Sequence, residues 1–356
     1  MSNVIFEQVV KRYGDFTALQ SLDLRIAEGE FLTLLGPSGC GKTTTLRLIA
    51  GFILPSEGQI YLGDAEITHL APQDRNIGMV FQDYALFPHL TLAENIAFGL
   101  VERGMGKAGV TARVKELLEL IELPDVGDRY PAQISGGQRQ RIAVARAVAY
   151  APRVLLMDEP LGALDLKLRE TMQVELRRLQ QELGITAIYV THDQSEAMSM
   201  SDRIAVMNHG VLEQVGTAQE IYARPSTKFV AGFVGQINFL EGRVVEHSGD
   251  EVSVEAHGTP IRARGSTPFA LGATATVAIR PERLTIRAAG ARVEGGNHIE
   301  GSVEAFSYAG NLVQTTIRMR GGMRLTSECR PDEITCRIGD TVVAAWGIDD
   351  SLLLRE

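Results

Sequence analysis

The stretch GPSGCGKTT, residues 36–44, decides the fold of this chain. It follows the apolar run FLTLLG, which begins at Phe31 and is typical of a buried strand. It overlaps the start of TTTLRLIAGF, whose apolar spacing predicts a helix. Glycines between a strand and a helix let backbone N–H groups turn around phosphate oxygens, and the helix N-terminus adds positive potential. The stretch therefore predicts a phosphate-binding loop in a layered α/β domain.

The polar side chains of this loop suit a bound triphosphate. Lys42 can reach the β- and γ-phosphates, and the hydroxyl of Thr43 can bind Mg2+. The other loop residues predicted to contact the nucleotide are Gly36, Pro37, Ser38, Gly39, Cys40, Gly41 and Thr44. A glycine turn that binds nothing is the alternative, and the strand and helix on either side argue against it.

Two acids end a second apolar run, VLLM, which begins at Val154. In a parallel sheet the carboxyl end of such a strand faces the phosphate loop. We expect Asp158 to hold Mg2+ and Glu159 to polarise the attacking water as a general base. An ordinary helix cap after a strand is the alternative interpretation of this pair.

Three single residues occupy positions where they could contact a nucleotide. His192, in YVTHDQSEA, follows another strand, which would place it near the γ-phosphate to help position the water. Gln82, in MVFQDYALFPHL, follows a further strand end, and its amide oxygen could bind Mg2+. Tyr13 precedes the first motif strand and could stack on adenine. Taken alone, each of the three could equally be structural.

A second glycine motif, ISGGQRQR, spans residues 134–141. Ser135, Gly136 and Gly137 lead into a helix that we predict to begin around Gln138. A serine and two glycines at the start of a helix make a second anion site. One chain has no evident use for two sites on one triphosphate, whereas two chains arranged head to tail would each cap the other's γ-phosphate. A well-capped helix without a ligand is the alternative.

The pattern of apolar residues changes along the chain. Residues 1–235 alternate strand-like and helical patterns, and residues from about 84 to 150 are mostly helical in pattern. Beyond residue 235, the segments GRVVE, EVSVEA, TVAIRP, LTIRA, NLVQTTIRM and TVVAAW are short, roughly alternating and separated by glycine. That pattern is typical of a small β-barrel or sandwich. We therefore predict two domains, 1–235 and 236–356.

The composition excludes several classes of protein. The chain has 356 residues, 45% of them apolar, and a formal net charge of -9, which argues against a general binder of nucleic acid or anionic membranes. Three cysteines give no disulfide framework, so a reducing compartment is expected. The N-terminal residues lack a signal pattern, and no stretch has the ~18 uninterrupted apolar residues of a membrane span. Any action on a membrane would therefore require a partner.

Taken in order, these motifs resemble those of the nucleotide-binding subunit of ABC transporters. The matching elements are Tyr13, GPSGCGKTT, Gln82, ISGGQRQR, VLLMDEP, the ALD of Ala163 to Asp165, and His192. They correspond to the family's A-loop, Walker A, Q-loop, signature, Walker B, D-loop and H-loop, which adds Asp165 to the expected nucleotide contacts. Ile134 stands where leucine is commoner, and Gly162 stands where serine or asparagine is frequent.

The resemblance extends past these motifs. The region beyond FVGQINFLEG is similar to a TOBE barrel, with RPE at 280–282 and SYAGN at 307–311 as its turns. The implied fold is an α/β P-loop NTPase cassette, with a RecA-like core and a helical subdomain, followed by an all-β OB-like barrel. Nearly the whole chain resembles importer subunits serving polyamines, ferric iron, sulfate, phosphonates or sugars. The tail containing Trp346 is most similar to the polyamine, iron and phosphonate branches.

The resemblance also implies an activity and partners. ATP and Mg2+ are the expected cofactors, with Glu159, His192 and Lys42 as catalytic residues. The expected assembly is a dimer, most often of identical chains, on the cytoplasmic face of the inner membrane. It would bind integral-membrane permease subunits through VFQDYALFPHLTLAENIAFGL and would serve a solute-binding protein indirectly. No nucleic acid is expected as a partner.

Other protein classes fit the motifs less well. An ABC ATPase of DNA repair would insert a long coiled coil, for which there is no room between Gln82 and Ile134. Translation factors of this type usually carry two cassettes, whereas this chain has one phosphate loop. A phosphate-loop kinase would need neither the second glycine motif nor the barrel. A barrel that serves as a regulatory binding module is compatible with the ATPase.

Overall fold

The computed structural model describes residues 3–162, 164–264, 269–291 and 295–354. The chain forms two compact units, Met1–Gln219 and Glu220–Glu356.

The first unit contains two sheets. Its strands, in chain order, are β1 (Val4–Tyr13), β2 (Phe16–Ile26), β3 (Phe31–Leu35), β4 (Glu57–Leu62), β5 (Ala65–Glu66), β6 (Ile77–Val80), β7 (Val154–Asp158), β8 (Thr186–Thr191), β9 (Arg203–Asn208) and β10 (Val211–Gly216). The larger sheet has the order β10-β9-β3-β8-β7-β6 and is parallel except for β10. The smaller sheet is antiparallel, with the order β2-β1-β4-β5. Parallel strands keep all their carboxyl ends on one edge, which is where the motifs follow β3, β6, β7 and β8.

The helices connect the parallel strands. They are α1 (Lys42–Ala50), α2 (Leu92–Glu102), α3 (Lys107–Leu120), α4 (Gly136–Val148), α5 (Leu166–Leu183) and α6 (Gln194–Met200). The segment between residues 84 and 150 contains α2, α3 and α4. No helix within the described ranges is long and apolar enough to cross a membrane.

Two hydrophobic clusters pack against the larger sheet. Alternate residues of a strand point to opposite faces, so Phe31 belongs to one cluster, whereas Leu32 and Leu34 belong to the other. The cluster around Phe31 also takes in residues of α2, α3 and α4. Because both faces are covered, these strands are continuously apolar, which is why they could be recognised from sequence.

One buried arginine, which lies just before strand β6, is hydrogen-bonded to the helix that follows the phosphate loop. Arg75 is 2% exposed, and its guanidinium donates hydrogen bonds to the carbonyls of Leu48, Ile49, Thr68 and Leu70. The carbonyls of Leu48 and Ile49 lie in the last turn of α1, where regular helical hydrogen bonds end, although Leu48 also accepts a bond of 3.3 Å from the N–H of Gly51. Arg75 therefore fixes the C-terminal end of α1.

The second unit is built from β-strands and short helices. After α7 (Ala218–Ala223) and α8 (Lys228–Phe233), its strands are β11 (Asn238–Ser248), β12 (Glu251–Ala256), β13 (Thr259–Arg264), β14 (Thr274–Ile279), β15 (Thr285–Ala288), β16 (Asn297–Tyr308), β17 (Val313–Met319), β18 (Arg324–Cys329), β19 (Thr341–Trp346) and β20 (Leu352–Leu354). A closed barrel has the order β11-β12-β13-β20-β14. A five-stranded sheet has the order β15-β19-β16-β17-β18. The predicted all-β architecture is confirmed.

The division between the units falls at Gln219/Glu220, whereas the sequence pattern places it at residue 235. Arg280, at the end of β14, shows the physical reason. Its guanidinium donates hydrogen bonds to four backbone carbonyls, those of Tyr222, Ala231, Val234 and Gln236. It also lies 4.0 Å from the centroid of the Tyr222 ring. The segment that holds α7 and α8 is therefore bound to the second unit by a side chain that sequence pattern does not associate with it.

Candidate active site

The phosphate-binding loop joins β3 to α1 and depends on glycine at both ends. A Cβ atom on Gly36 would lie 2.3 Å from the carbonyl oxygen of Met207, and one on Gly41 would lie 2.8 Å from that of Ala18. Gly41 also has a φ of 107°, which side chains disfavour. The loop thus passes close to neighbouring backbone, and α1 begins directly after it, as the sequence predicts.

Lys42 is held inside this loop. Its Nζ atom donates hydrogen bonds to the carbonyl oxygens of Gly36, at 2.7 Å, and Pro37, at 3.0 Å. The side chain is buried. Because the loop wraps around the ammonium group, the positive charge is fixed at the N-terminus of α1, where an anion is favoured.

Thr43 and Asp158 meet between α1 and β7. The Thr43 hydroxyl donates a hydrogen bond of 3.3 Å to Oδ1 of Asp158, although the two residues are far apart in the chain. Burial raises the pKa of Asp158, and the neighbouring negative charge of Glu159 raises it further, while the bond from Thr43 lowers it. A partly buried carboxylate beside a hydroxyl at the end of a strand has the oxygen ligands that Mg2+ prefers. The two residues therefore fit the predicted cation.

Glu159 follows β7 in a strained conformation. Its φ is 45°, which is unusual for a residue with a side chain. The backbone N–H of Glu159 donates to the carbonyl of Val190 in β8, at 3.0 Å, which stabilises this turn. The carboxylate reaches His192, whose Nδ1 atom lies 3.1 Å from Oε2. The structure thus brings together the predicted base and the predicted histidine.

Residues after His192 form a hydrogen-bonded network that the sequence analysis missed. Arg169, in the first turn of α5, donates to Oδ2 of Asp193 at 3.1 Å and to the carbonyl of Leu164 at 3.1 Å. Asp193 caps α6 by accepting from the N–H groups of Ser195 and Glu196. Aspartate at the start of a helix is a capping signal readable from sequence, but its pairing with Arg169 is not.

The second glycine motif is a helix N-terminus. Helix α4 begins at Gly136, two residues before the predicted start, because Ser135 is its N-cap. The Ser135 hydroxyl accepts from the N–H of Gln138 at 3.3 Å, and Oε1 of Gln138 accepts from the N–H of Ser135 at 3.0 Å. This capping box explains the earlier start. A Cβ atom on Gly137 would lie 3.2 Å from Leu168 of α5, so the motif packs closely on α5.

The remaining predicted contacts lie on separate elements of the first unit. Asp165 caps α5 through the N–H of Leu168. Tyr13, at the end of β1, is 49% exposed, with Nζ of Lys11 4.9 Å from its ring centroid. Gln82 is exposed in the turn after β6. Ala163, the first residue of the ALD sequence, lies outside the described residues.

The segment predicted to receive a permease is held in shape by two polar residues. Arg146 of α4 donates hydrogen bonds to the carbonyls of Tyr84 and Ala85, both of which have a positive φ. Asn95 of α2 is fully buried and bonds both the N–H and the carbonyl of Phe87. These contacts fix an irregular turn that would otherwise leave its carbonyls unpaired.

An apolar surface lies beside this segment. Phe98, Val101 and Met105 are each more than 40% exposed, although they are large and apolar. A cavity of about 670 Å³ lies alongside, and its lining residues include Leu100, Met105, Ala112, Ala149 and Tyr150. Exposed large apolar side chains of this kind are typical of surfaces that bind other molecules.

Comparison with known proteins identifies the family. A model of the ABC transporter family matches residues 19–162, and a model of the TOBE domain matches residues 277–354. The spermidine/putrescine import ATP-binding protein PotA of Roseobacter denitrificans is 50% identical over 326 residues, which cover 91% of this chain and 89% of that protein. The protein of the same name from Rubrobacter xylanophilus is 46% identical over 356 residues, covering 99% and 93%.

Solved structures agree with this result. The dimeric structure of MJ0796, described as a bacterial ABC transporter cassette, is 36% identical, with a TM-score of 0.55, and covers 60% of this chain and 98% of that one. A structure of the same cassette in a post-hydrolysis state, bound to ADP and Pi, has a TM-score of 0.53 at 34% identity. A non-transport ATPase of DNA repair or translation is not favoured, since the curated relatives are import proteins. The chain belongs to the ABC transporter family, as an ATP-binding ATPase subunit of the importer group that carries a TOBE domain.

Proposed function

We propose that this chain hydrolyses ATP at the carboxyl edge of its parallel sheet and uses the energy to drive solute import through a partner permease. One observation carries the proposal. Thr43 contacts Asp158 at 3.3 Å, and His192 contacts Glu159 at 3.1 Å, beside a loop whose first and last glycines leave no room for a side chain. These are the groups that phosphoryl transfer needs for binding, charge neutralisation and activation of water.

The loop would bind the triphosphate. Lys42 would exchange its bonds to the loop carbonyls for contacts with the β- and γ-phosphates, because a phosphate oxygen is a stronger acceptor than a carbonyl. Mg2+, when bound, would neutralise the charge on the phosphate oxygens. Thr43 and Asp158 would hold the cation, with Gln82 as a third ligand supplied by the turn after β6. Tyr13 would stack on the adenine.

Glu159 would act as the general base. Its carboxylate would accept a proton from the attacking water, and the strained turn at φ 45° aims it away from the strand. His192 would hold the carboxylate and the water in place through its bond to Oε2. Correct orientation of Glu159 and His192 raises the rate of hydrolysis, because the entropy cost of orienting the reacting groups is then already met in the folded protein.

The complete site would need two copies of the chain. In the capping box of α4, the hydroxyl of Ser135 and the N–H groups of the first turn form an anion site that the chain's own phosphate loop does not use. In a head-to-tail homodimer, Ser135, Gly136, Gly137 and Gln138 of one chain would face the γ-phosphate held by the other, with Asp165 nearby. The dimeric structure of the MJ0796 cassette supports the pairing of two copies.

The apolar surface around Phe98 would bind the permease. Its exposed large side chains lie beside the segment fixed by Arg146 and Asn95, so a helix of the membrane subunit would find a firm, apolar groove. Bound in this way, the chain would be a peripheral subunit on the cytoplasmic face of the inner membrane. An external solute-binding protein would then be an indirect partner, and no nucleic acid is required.

A polyamine, spermidine or putrescine, is the proposed solute. Relatives with up to 50% identity over nine-tenths of the chain are named for the import of these two compounds. The solute itself would be selected by the permease and the binding protein, so the proposal concerns which system this subunit serves.

The test is uptake of labelled spermidine and putrescine by cells that lack the chromosomal copy of this gene. Uptake should return with the wild-type chain and should stay absent with the Glu159→Gln variant. Affinity purification of that variant with ATP from solubilised membranes should recover a polytopic permease. Recovery of ribosomal or DNA-repair proteins in its place would contradict the transport function.

A further inference from the structure

We propose that Arg169 is a positioning residue, which ties the segment carrying His192 to the segment preceding α5 and so maintains the contact between His192 and Glu159. This inference rests on the roles proposed above for those two residues. Arg169 touches neither the phosphate loop nor the reacting groups, so any effect on the reaction must pass through the groups it holds.

The guanidinium of Arg169 donates hydrogen bonds to two acceptors and lies near a third, which is beyond hydrogen-bond distance of its buried Nε. NH1 donates to Oδ2 of Asp193 at 3.1 Å, NH2 donates to the carbonyl of Leu164 at 3.1 Å, and Nε lies 3.7 Å from Oε1 of Glu196. The Arg169 side chain is 24% exposed, so its ion pair with Asp193 is less screened by solvent than an ion pair on the surface. Only a planar group with several donors can serve acceptors in these different directions.

The acceptors are themselves fixed. Glu196 is 3% exposed, and its Oε2 atom accepts hydrogen bonds from the hydroxyls of Tyr189, at 2.6 Å, and Thr191, at 2.7 Å. Both hydroxyls belong to β8, the strand that ends directly before His192. The N–H of Asp193 in turn donates to the Thr191 hydroxyl at 3.0 Å. Residues on both sides of His192 are therefore held by one connected network.

Charge favours the same arrangement. Burial alone would raise the pKa of Asp193, but hydrogen bonds from Ser195 and Glu196 and the positive charge of Arg169 lower it. Asp193 therefore stays ionised at neutral pH and keeps its ion pair with Arg169. Because Oδ1 serves the cap of α6 and Oδ2 serves Arg169, the two functions of this carboxylate can be separated by mutation.

The arrangement links two segments that reach the reaction from different directions. Leu164 precedes Asp165, which we assign to the neighbouring nucleotide of the dimer, whereas His192 serves the chain's own nucleotide. Through Arg169 the position of one segment fixes that of the other. Loss of this tie should lower the rate of hydrolysis without altering the loop that binds ATP.

The experiment compares Arg169→Gln with Arg177→Gln. Arg177 is a matched control because it lies on the same helix, is also 24% exposed and pairs with Asp202 beyond the other end of α6. We expect Arg169→Gln to lower kcat at least about tenfold, the size of effect that loss of orientation produces, with the Kd for ATP within about twofold of wild type. Arg177→Gln should leave kcat within about twofold of wild type.

Two further variants keep the inference testable if Arg169→Gln folds poorly. Asp193→Asn retains Oδ1 for the cap of α6 but presents an amide to Arg169, so it should lower kcat as Arg169→Gln does. In a His192→Ala background, Arg169→Gln should have no additional effect on kcat, since the group it positions is gone. Equal effects of Arg169→Gln in both backgrounds, or a loss of ATP affinity that matches the loss of kcat, would overturn the inference. Absence of ATPase activity in the wild-type chain would instead overturn the proposed function.

Discussion

The Nδ1 atom of His192 lies 3.1 Å from Oε2 of Glu159, which joins the end of β8 to the end of β7. The two strands are neighbours in the parallel sheet, so their following residues leave the same edge. The contact requires the left-handed turn at Glu159, because an extended residue there would continue along the strand. The relative positions of Glu159 and His192 therefore depend on the backbone conformation as well as on the side chains.

Glu159→Gln should bind ATP and fail to turn it over. The amide keeps the shape of the side chain but cannot accept the proton of water, so kcat should fall about 10²- to 10⁴-fold. The ATP-bound variant should also stay dimeric for longer, because hydrolysis no longer ends that state. Phosphate release and gel filtration with ATP measure the two effects. The control is Glu170→Gln, at an exposed position on α5. Normal hydrolysis by the Glu159→Gln variant would show that Glu159 is not the general base.

Lys42→Ala should lose nucleotide affinity. A charged hydrogen bond to phosphate contributes about 1.5–3 kcal/mol, so the Kd for ATP should rise about ten- to a hundredfold. Titration with a fluorescent ATP analogue measures the change. Lys115→Ala, at a side chain that is 80% exposed, should bind normally. Unchanged ATP binding by the Lys42 variant would contradict the function assigned to the loop.

Ser135→Arg should prevent closure of the dimer and leave ATP binding by the single chain intact. The arginine would fill the space that the γ-phosphate of the neighbouring chain requires. Ser135→Ala is the companion variant, because it removes the cap of α4, worth about 1 kcal/mol, without adding bulk. Gel filtration in the Glu159→Gln background separates the two effects. If Ser135→Arg abolished binding to the monomer, the assignment across the dimer would be wrong.

Asp158→Asn should stabilise the protein without nucleotide and weaken its binding of Mg2+. Burial raises the pKa of Asp158, which means that its ionised form costs stability in the folded state. That cost is present above the folded-state pKa and disappears as the pH falls towards the ordinary value, so at neutral pH the variant should melt at a higher temperature. Thermal unfolding in EDTA and Mg2+ titration of ATPase activity check the two parts. A lower melting temperature in EDTA would contradict the argument.

The pKa shift also predicts a pH dependence for Mg2+. Protonation of a raised carboxyl begins at a higher pH than for an exposed aspartate, so the apparent affinity for Mg2+ should fall sooner on acidification. The dependence should flatten in Asp158→Asn. Titrations between about pH 5 and 8 would show this, with ATP held in excess.

Arg280→Ala should destabilise the second unit. The substitution leaves four buried or partly buried carbonyls without this donor and removes the contact with the Tyr222 ring, at a cost of about 3 kcal/mol or more. Arg283→Ala, at a side chain that is 63% exposed, is the control. Urea unfolding followed by the fluorescence of Trp346, the single tryptophan of the chain, reports on this unit.

Much of the fold could be predicted because its signals are local in sequence. The glycine loop between β3 and α1 combines residue types that few other structures need, and the strands of the parallel sheet are continuously apolar because both faces are buried. The same holds for the two acids at the end of β7. In each of these cases the local structure follows from the residue and its neighbours in the chain.

The features that sequence could not predict depend on partners that are distant in the chain. Arg75 binds carbonyls in α1, and Arg169 binds a carboxylate beyond β8; nothing near either arginine distinguishes it from an exposed one. The positive φ of Glu159 occurs where its N–H bonds the carbonyl of Val190, a residue of the neighbouring strand that is distant in the chain. Helix α4 begins two residues before the start that the sequence predicts, because the reciprocal bonds of Ser135 and Gln138 cap it there.

The anchoring of residues 222–236 by Arg280 has a consequence for how such chains can be recombined. A chimera joined at residue 236 would keep the guanidinium and lose most of its carbonyl acceptors, leaving a buried charge without compensation. A chimera joined at Glu220 would carry donor and acceptors together. The smallest transplantable module is therefore the barrel with α8 and most of α7, and exchange of accessory units between cassettes should succeed at residue 220 and fail at residue 236.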